Sequence, residues 1–101
     1  MGKIDNPQLV NTTGEYTGNE SANRAITHGL GRTPVSVLII NGVYQNLRVA
    51  YSNGAWRVHR PGDNTQEPVT APNSTYFYVG NAADYDISGN KNLIVYNWVA
   101  T

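Results

Sequence analysis

The sequence predicts an all-β fold, an antiparallel β-sandwich of six or seven strands. No segment places apolar residues at helical spacing over three turns. Clusters of Gly, Asn, Asp and Pro, which favour turns, recur about every ten residues. The runs between these clusters are short and rich in β-branched and aromatic residues, which favour strands. With 101 residues, the chain is large enough for one modest hydrophobic core.

The first part of the chain is predicted to be an N-terminal arm over residues 1–11, with the sandwich domain over residues 12–101. A Thr-rich strand is predicted within residues 11–19. A strand of alternating residues is predicted over residues 24–28.

A tight turn at positions 28–31 is predicted to lead into the most hydrophobic strand. Gly29 and Gly31 can adopt a positive φ without steric cost. Pro34 fixes φ and removes a hydrogen-bond donor, which suits the start of a strand and opposes a helix. Residues 35–40 are almost entirely β-branched residues and leucine. The sequence therefore predicts that both faces of this strand are covered.

A three-strand meander is predicted from residue 35 to residue 60. An Asn-Gly pair at positions 41–42 is a strong hairpin signal, and residues 43–51 would form the partner strand. A Ser-Asn-Gly turn at positions 52–54 then leads into a strand over residues 55–60.

Two long loops are predicted around the remaining strands. Residues 61–74 contain three prolines and would form a loop whose length is typical of functional segments. An aromatic strand over residues 75–79 follows. Residues 80–92 form the second polar loop, and residues 92–100 form a terminal strand that is apolar on both faces.

The composition excludes several functional classes. The formal net charge is zero, which argues against a nucleic-acid partner, because phosphates are neutralised by a basic face. The absence of cysteine excludes disulfides and thiolate sites for zinc or redox chemistry. No apolar run approaches the roughly 20 residues that span a bilayer, and the N-terminus lacks the apolar core of a signal peptide. We therefore expect a complete, soluble, unexported domain with no membrane insertion.

The sequence also predicts that the protein is not an enzyme and needs no cofactor. His28 and His59 are the two histidines, and catalysis would require one of them to meet a carboxylate. Because His28 lies beside a Gly-rich turn, it is predicted to hydrogen-bond the backbone. No Gly-x-Ser-x-Gly elbow or cysteine nucleophile is present, and the acidic residues are scattered. The turn at positions 29–32 is not followed by a helix that could hold a phosphate.

Candidate ligand-binding residues lie on the two long loops and the strand before the first of them. Aromatic faces stack on sugar rings, while Arg, Asn and Asp side chains hydrogen-bond sugar hydroxyls. The candidates for a sugar site are Trp56, Arg57, Arg60, Asp63, Asn64, Tyr85 and Asp86. The alternative is that Trp56 packs within its strand and the others form a solvated rim.

A weaker metal candidate lies in the second loop. Asp84, Asp86 and Ser88 match positions 1, 3 and 5 of a calcium loop, with Gly89 at position 6. Val95 stands at position 12, where a bidentate Glu is expected, and no helices flank the loop. A plain Asx turn is therefore the favoured interpretation.

Two separated blocks of the sequence form a family-like pattern. The first reads Ile26-x-His28-Gly-Leu-Gly-x-x-Pro34, with Val37 after it. The second comprises Phe77-x-Val79 and the closing Tyr96-x-Trp98-Val99-Ala100. This pattern resembles the H-type lectin domain and the small β-sandwich modules of bacteriophage tail fibres and other virion structural proteins. The resemblance extends from about Tyr16 to Ala100, but residues 44–73 have no clear counterpart, so the sugar-binding residues of the lectins are not transferred.

The resemblance implies a trimeric sandwich with ligand sites near the boundaries between protomers. The leading hypothesis is a non-enzymatic module of a phage or prophage virion, in a tail fibre, a tail tip or a capsid decoration. It would be assembled in the bacterial host cytoplasm and contact other virion proteins. Apolar residues on both faces of residues 35–40 and 93–100 support it, because a subunit interface would bury them. The alternatives are a carbohydrate-binding lectin or receptor-binding tip that recognises a host surface glycan and, third, a small hydrolase.

Overall fold

The computed structural model describes residues 11–41 and 46–101. This part of the chain contains no helix and eight strands, all paired antiparallel in two sheets. The strands are β1 (Thr12–Thr17), β2 (Arg24–Thr27), β3 (Val37–Ile40), β4 (Asn46–Ser52), β5 (Ala55–Arg60), β6 (Thr65–Pro68), β7 (Tyr76–Val79) and β8 (Val95–Ala100). The predicted all-β antiparallel sandwich is confirmed. None of the described segments forms a helix long and apolar enough to cross a membrane.

The larger sheet has six strands in the order β1-β8-β3-β4-β5-β6, and the smaller is the two-stranded ribbon β2-β7. The predicted meander is confirmed as β3-β4-β5, in which Val49 pairs with Val37 on one side and Val58 on the other. β8 lies inside the sheet, because Trp98 pairs with Gly14 of β1 and with Ile39 of β3.

One face of the six-stranded sheet, called the inner face here, packs against the ribbon. Its core contains Tyr16, Ile26, Leu30, Val37, Ile39, Leu47, Val49, Val58, Phe77, Val79, Tyr96, Trp98 and Ala100. The rings of Phe77 and Trp98 meet edge to face at 5.3 Å between centroids, and Tyr16 stacks on Tyr96 at 5.1 Å. The contact between Phe77 and Trp98 therefore joins the ribbon to the larger sheet, whereas the stack of Tyr16 on Tyr96 joins β1 to β8 within the larger sheet.

The opposite face, called the outer face here, carries the other alternate residues of the same strands. On the central strands β3 and β8, its apolar members are Leu38, Ile40, Val95 and Val99. No described strand packs on it, and Ile40 and Val95 are 38% and 44% exposed. Within the described residues of a single chain, the prediction that residues 35–40 are covered on both faces is therefore wrong. The reason is that the short ribbon can cover just one side of a six-stranded sheet.

The prediction that residues 61–74 form a loop is wrong in part, because this segment contains β6. This strand pairs with β5 in a register that places Thr65 opposite Arg60 and Pro68 opposite Arg57. Asn64 adopts the left-handed conformation, with φ of 62°, which reverses the chain before β6. Proline is tolerated here because β6 is an edge strand. The described strands therefore number eight rather than six or seven.

Two predictions fall wholly or partly outside the described residues. The predicted N-terminal arm, residues 1–11, lies outside them except for Asn11, which precedes β1. The second residue of the predicted Asn-Gly turn and residues 43–45 of the predicted partner strand also lie outside them.

The turn before β3 has the predicted geometry. Gly29 and Gly31 have φ of 73° and 77°. His28 is 2% exposed, its Nδ1 accepts a hydrogen bond from the Leu30 N–H at 3.0 Å, and its Nε2 lies 2.8 Å from the Asn73 carbonyl oxygen. Because Nδ1 accepts, Nε2 carries the proton and donates to Asn73. The predicted role of His28 in binding the backbone is confirmed.

Candidate functional site

Residues from both long loops meet beside the end of β5. Arg60 Nε donates to Asp63 Oδ1 at 3.1 Å, and Arg60 Nη2 donates to Asp63 Oδ2 at 2.7 Å, which forms a bidentate pair. Arg60 Nη1 lies 3.8 Å from Asp86 Oδ2, in the loop between β7 and β8. The structure thus brings together three of the predicted sugar-site residues, which we call the Arg60 cluster.

The charges of this cluster stabilise one another. The Arg60 guanidinium and the Thr65 hydroxyl, which donates to Asp63 at 2.7 Å, hold the pKa of the Asp63 carboxyl well below its usual range. The hydrogen bond to Asp63 raises the pKa of Arg60 in turn. Both side chains remain open to solvent, at 21% and 51% exposure. The pair is therefore preformed on the surface before any ligand arrives.

Replacing Arg60 with alanine should raise the pKa of Asp63 towards its ordinary value, because the largest cause of its depression is removed. A carboxyl with a depressed folded-state pKa stabilises the protein above the unfolded-state pKa of about 4, and that contribution is lost as the pH falls through the folded-state value. Nuclear magnetic resonance titration of the Asp63 carboxyl carbon measures the shift. Arg57→Ala is the matched control, because Arg57 bonds the backbone of Ser52 instead. An unchanged Asp63 pKa in Arg60→Ala would contradict the assignment.

Trp56 and Arg57 do not join the Arg60 cluster. Trp56 is half-buried, packs against the core and meets Tyr51 edge to face at 6.3 Å. Arg57 is the next residue of β5 and so points to the outer face. Trp56 and Arg60 share the inner side but are separated by about 13 Å of strand. The alternative in which Trp56 packs within its strand fits this arrangement.

Asn64 and Tyr85 lie near the cluster in the sequence, but their hydrogen bonds are made within their own turns. Asn64 Oδ1 lies 2.9 Å from His59 Nε2 across the turn between β5 and β6. Tyr85 is half-buried, and its carbonyl oxygen accepts from the Asn90 N–H at 2.9 Å. Sugar binding by the candidate residues stays a prediction.

The segment that resembles a calcium loop is an Asx turn. Asp84 Oδ1 accepts from the N–H groups of Asp86 and Ile87, both at 3.0 Å. Ser88 is fully buried, donates its hydroxyl to the Asp84 carbonyl at 2.7 Å and accepts from the Asn81 N–H at 2.8 Å. In the part of the chain that the structure describes, no three His, Cys, Asp or Glu residues form a group suited to a metal ion. The hydrogen bonds of Asp84 are those of the Asx turn that the sequence favours.

In the part of the chain that the structure describes, neither histidine forms an ion pair with a carboxylate. His28 bonds two backbone groups, and His59 bonds the Asn64 amide. Within residues 11–41 and 46–101, each ion pair joins Arg or Lys to a carboxylate, and none includes a histidine. A hydrolase of this kind would need a histidine–carboxylate pair, and none is present within the described ranges. The absence of enzyme activity stays a prediction.

A buried amide network was not predicted from the sequence. The Asn90 side chain is fully buried, and its Nδ2 donates to Asn19 Oδ1 at 3.0 Å and to the Ser21 carbonyl at 2.8 Å. Its Oδ1 accepts from the Asn19 N–H at 3.1 Å. Asn90 therefore ties the β7–β8 loop to the β1–β2 turn. The sequence held no signal for it, because Asn is common in exposed turns and its partners lie about 70 residues away.

The outer face carries a shallow groove where β1, β8 and β3 adjoin. Its lining residues are Thr13, Gly14, Glu15, Ile40, Asn97, Trp98 and Val99. Glu15 and Asn97 pair across β1 and β8, and Asn97 pairs with Ile40 of β3. The groove is therefore acidic at one side and apolar at the other.

No protein-family model, curated protein or solved structure matches this chain. The resemblance to the H-type lectin domain and to phage modules therefore stays a prediction from the sequence motifs.

Proposed function

We propose that the protein is a non-enzymatic structural module of a phage or prophage virion, in a tail fibre, a tail tip or a capsid decoration. It acts by assembling into a homotrimer and by contacting other virion proteins. The observation that carries this proposal is the outer face of the six-stranded sheet. Ile40 and Val95 are partly exposed there, and Leu38 and Val99 are half-buried on the same two strands. A soluble sandwich gains stability when another subunit covers such a face.

The state of the polar groups also supports a structural role. Arg60 and Asp63 are already paired, Asp84 is used by its own turn, and His28 and Asn90 hold backbone segments in place. A catalytic site instead keeps an acid, a base or a nucleophile directed at an open cleft. These hydrogen bonds rigidify loops, which suits a particle component. The motif resemblance to tail-fibre modules agrees with that role.

Size-exclusion chromatography with light scattering tests the assembly. We expect a particle of three times the 11.0 kDa of one chain at micromolar concentration. A stable monomer at that concentration would overturn the proposal, because the outer face would then remain in water. Detection of the chain in gradient-purified virions, rather than in the soluble host fraction, tests its location.

A further inference from the structure

The outer face changes in chemistry across the sheet. At one side, Glu15 of β1 is exposed. The centre, formed by β8 and β3, is apolar at Val99, Leu38 and Ile40, with the exposed Asn97 between Glu15 and Ile40. On the far side of β3, Arg48 of β4 is exposed and pairs with Leu38 across the strands. The face is thus ordered as acidic, apolar and basic.

The two charges cannot neutralise each other within one chain. Glu15 and Arg48 lie three strand spacings apart, because β8 and β3 separate β1 from β4. That places them about 14 Å apart across the sheet, beyond the reach of an ion pair. Within the described residues, neither side chain forms an ion pair with another. Each charge therefore remains available to a partner molecule.

We propose that the outer face is the contact surface between copies of this chain, with Glu15 of one copy against Arg48 of the next. The apolar centre, Leu38, Ile40 and Val99, is buried by the same contact. This inference rests on the proposed trimer and specifies which surface holds it. In a ring with three-fold symmetry, each copy uses one edge to meet the opposite edge of its neighbour. The acidic and basic edges provide two such complementary patches.

A second copy fits this face better than a partner of a single charge. A basic partner, such as a cationic peptide, would meet Glu15 but would be repelled at Arg48. A nucleic acid or an anionic surface would be attracted by Arg48 but repelled at Glu15. Another copy carries both an acidic and a basic side, so each side of one copy can meet the opposite charge on a neighbouring copy. Charge complementarity across an interface sets such a register and suppresses other partners.

Charge reversal tests the pairing. We expect E15R and R48E each to raise the concentration at half-assembly by about tenfold or more, because each replaces an attraction by a repulsion. The double variant E15R/R48E restores the opposite charges and should recover the assembly of the original protein. Light scattering over a dilution series measures each mass. Retention of full assembly by both single variants, or failure of the double variant to recover it, would overturn the inference.

Mixing the two single variants reports the symmetry. In a two-fold dimer, one E15R chain and one R48E chain satisfy both contacts, so mixing would restore assembly. A three-membered ring cannot alternate two kinds of chain, and one contact between like charges remains. We therefore expect the mixture to assemble poorly while the double variant assembles well. Full recovery in the mixture would overturn the three-fold arrangement.

The apolar centre is tested by I40K, which places a charge on the outer face without entering the core. L93K is the matched control, because Leu93 is an aliphatic residue with 77% exposure in the loop before β8, outside the sheet. We expect I40K to be monomeric and L93K to assemble as the original protein does. Near-ultraviolet circular dichroism checks that both are folded. If I40K is folded and still assembled, the face is not the interface, whereas a monomeric original protein would overturn the proposed function as well.

Discussion

Replacing Gly80 with alanine should destabilise the protein by about 3 kcal/mol or more, from backbone strain and steric overlap together. Gly80 has φ of 97°, a region that side chains rarely adopt. A Cβ at this position would also overlap the carbonyl oxygen of Ser21. The backbone cannot simply move away, because the Gly80 N–H donates to Ser88 and its carbonyl accepts from Asn23, at 2.9 and 2.8 Å.

Gly54→Ala separates the two causes. Gly54 also has a positive φ, of 85°, but no atom lies within 4 Å of its Cβ position. This variant should therefore lose about 1 kcal/mol, the strain of the backbone alone. Urea denaturation at one fixed protein concentration measures both free energies of unfolding under the same conditions. Equal losses in the two variants would show that the overlap at Ser21 does not constrain Gly80.

Asn90→Asp should cost about 3 kcal/mol at pH 7, although it changes the volume of the side chain very little. The substitution replaces the Nδ2 donor by an oxygen that faces Asn19 Oδ1 and the Ser21 carbonyl. Burial and the loss of donors disfavour the charged carboxylate, so the pKa of the new carboxyl is expected to lie above its unfolded-state value. Arg24 Nη1, 3.3 Å from Asn90 Oδ1, offsets part of this effect.

The sign of the pH dependence follows from that raised pKa. Below the unfolded-state pKa of about 4, the carboxyl is protonated in both states and its ionisation costs nothing. The loss grows as the pH rises and is complete above the folded-state pKa. The free energy of unfolding of Asn90→Asp should therefore fall further below that of the original protein at pH 7 than at pH 4. Asn53→Asp, in an exposed turn, is the matched control and should show little change at either pH. A gap for Asn90→Asp that is the same at both pH values would refute this account.

The strands could be predicted where the pattern of apolar residues and the turn-forming residues that flank it agreed. Gly29, Gly31 and Pro34 marked the turn before β3, and the Ser-Asn-Gly turn at positions 52–54 marked the β4–β5 hairpin. β6 was missed because three of its four residues, Gln66, Glu67 and Pro68, are not typical of strands. Its pairing depends on the free edge of β5, which is a tertiary property that the segment does not encode locally.

The candidate site was predictable in part. The sequence indicated that the two long loops carry polar groups, and the contact between Arg60 and Asp86 joins them. The sequence also allows the prediction that Trp56 and Arg57 lie on opposite faces of the sheet, because consecutive strand residues point to opposite faces. The Asn90 network could not be predicted, since it depends on how two distant turns approach each other. The exposure of Ile40 likewise depends on the size of the second sheet and not on its own strand.

The position of β8 has a consequence for how the chain folds during synthesis. The other seven strands leave the ribosome before β8, yet β8 is the strand that joins β1 to the meander. The nascent β3-β4-β5 hairpins have local partners, whereas Thr12–Thr17 must wait for Val95–Ala100, some 80 residues later. Until then, one side of β3 is an open edge that can pair with another nascent chain. Neighbouring ribosomes on one message therefore present the same unpaired edge, so that pairing between nascent chains competes with folding within one chain.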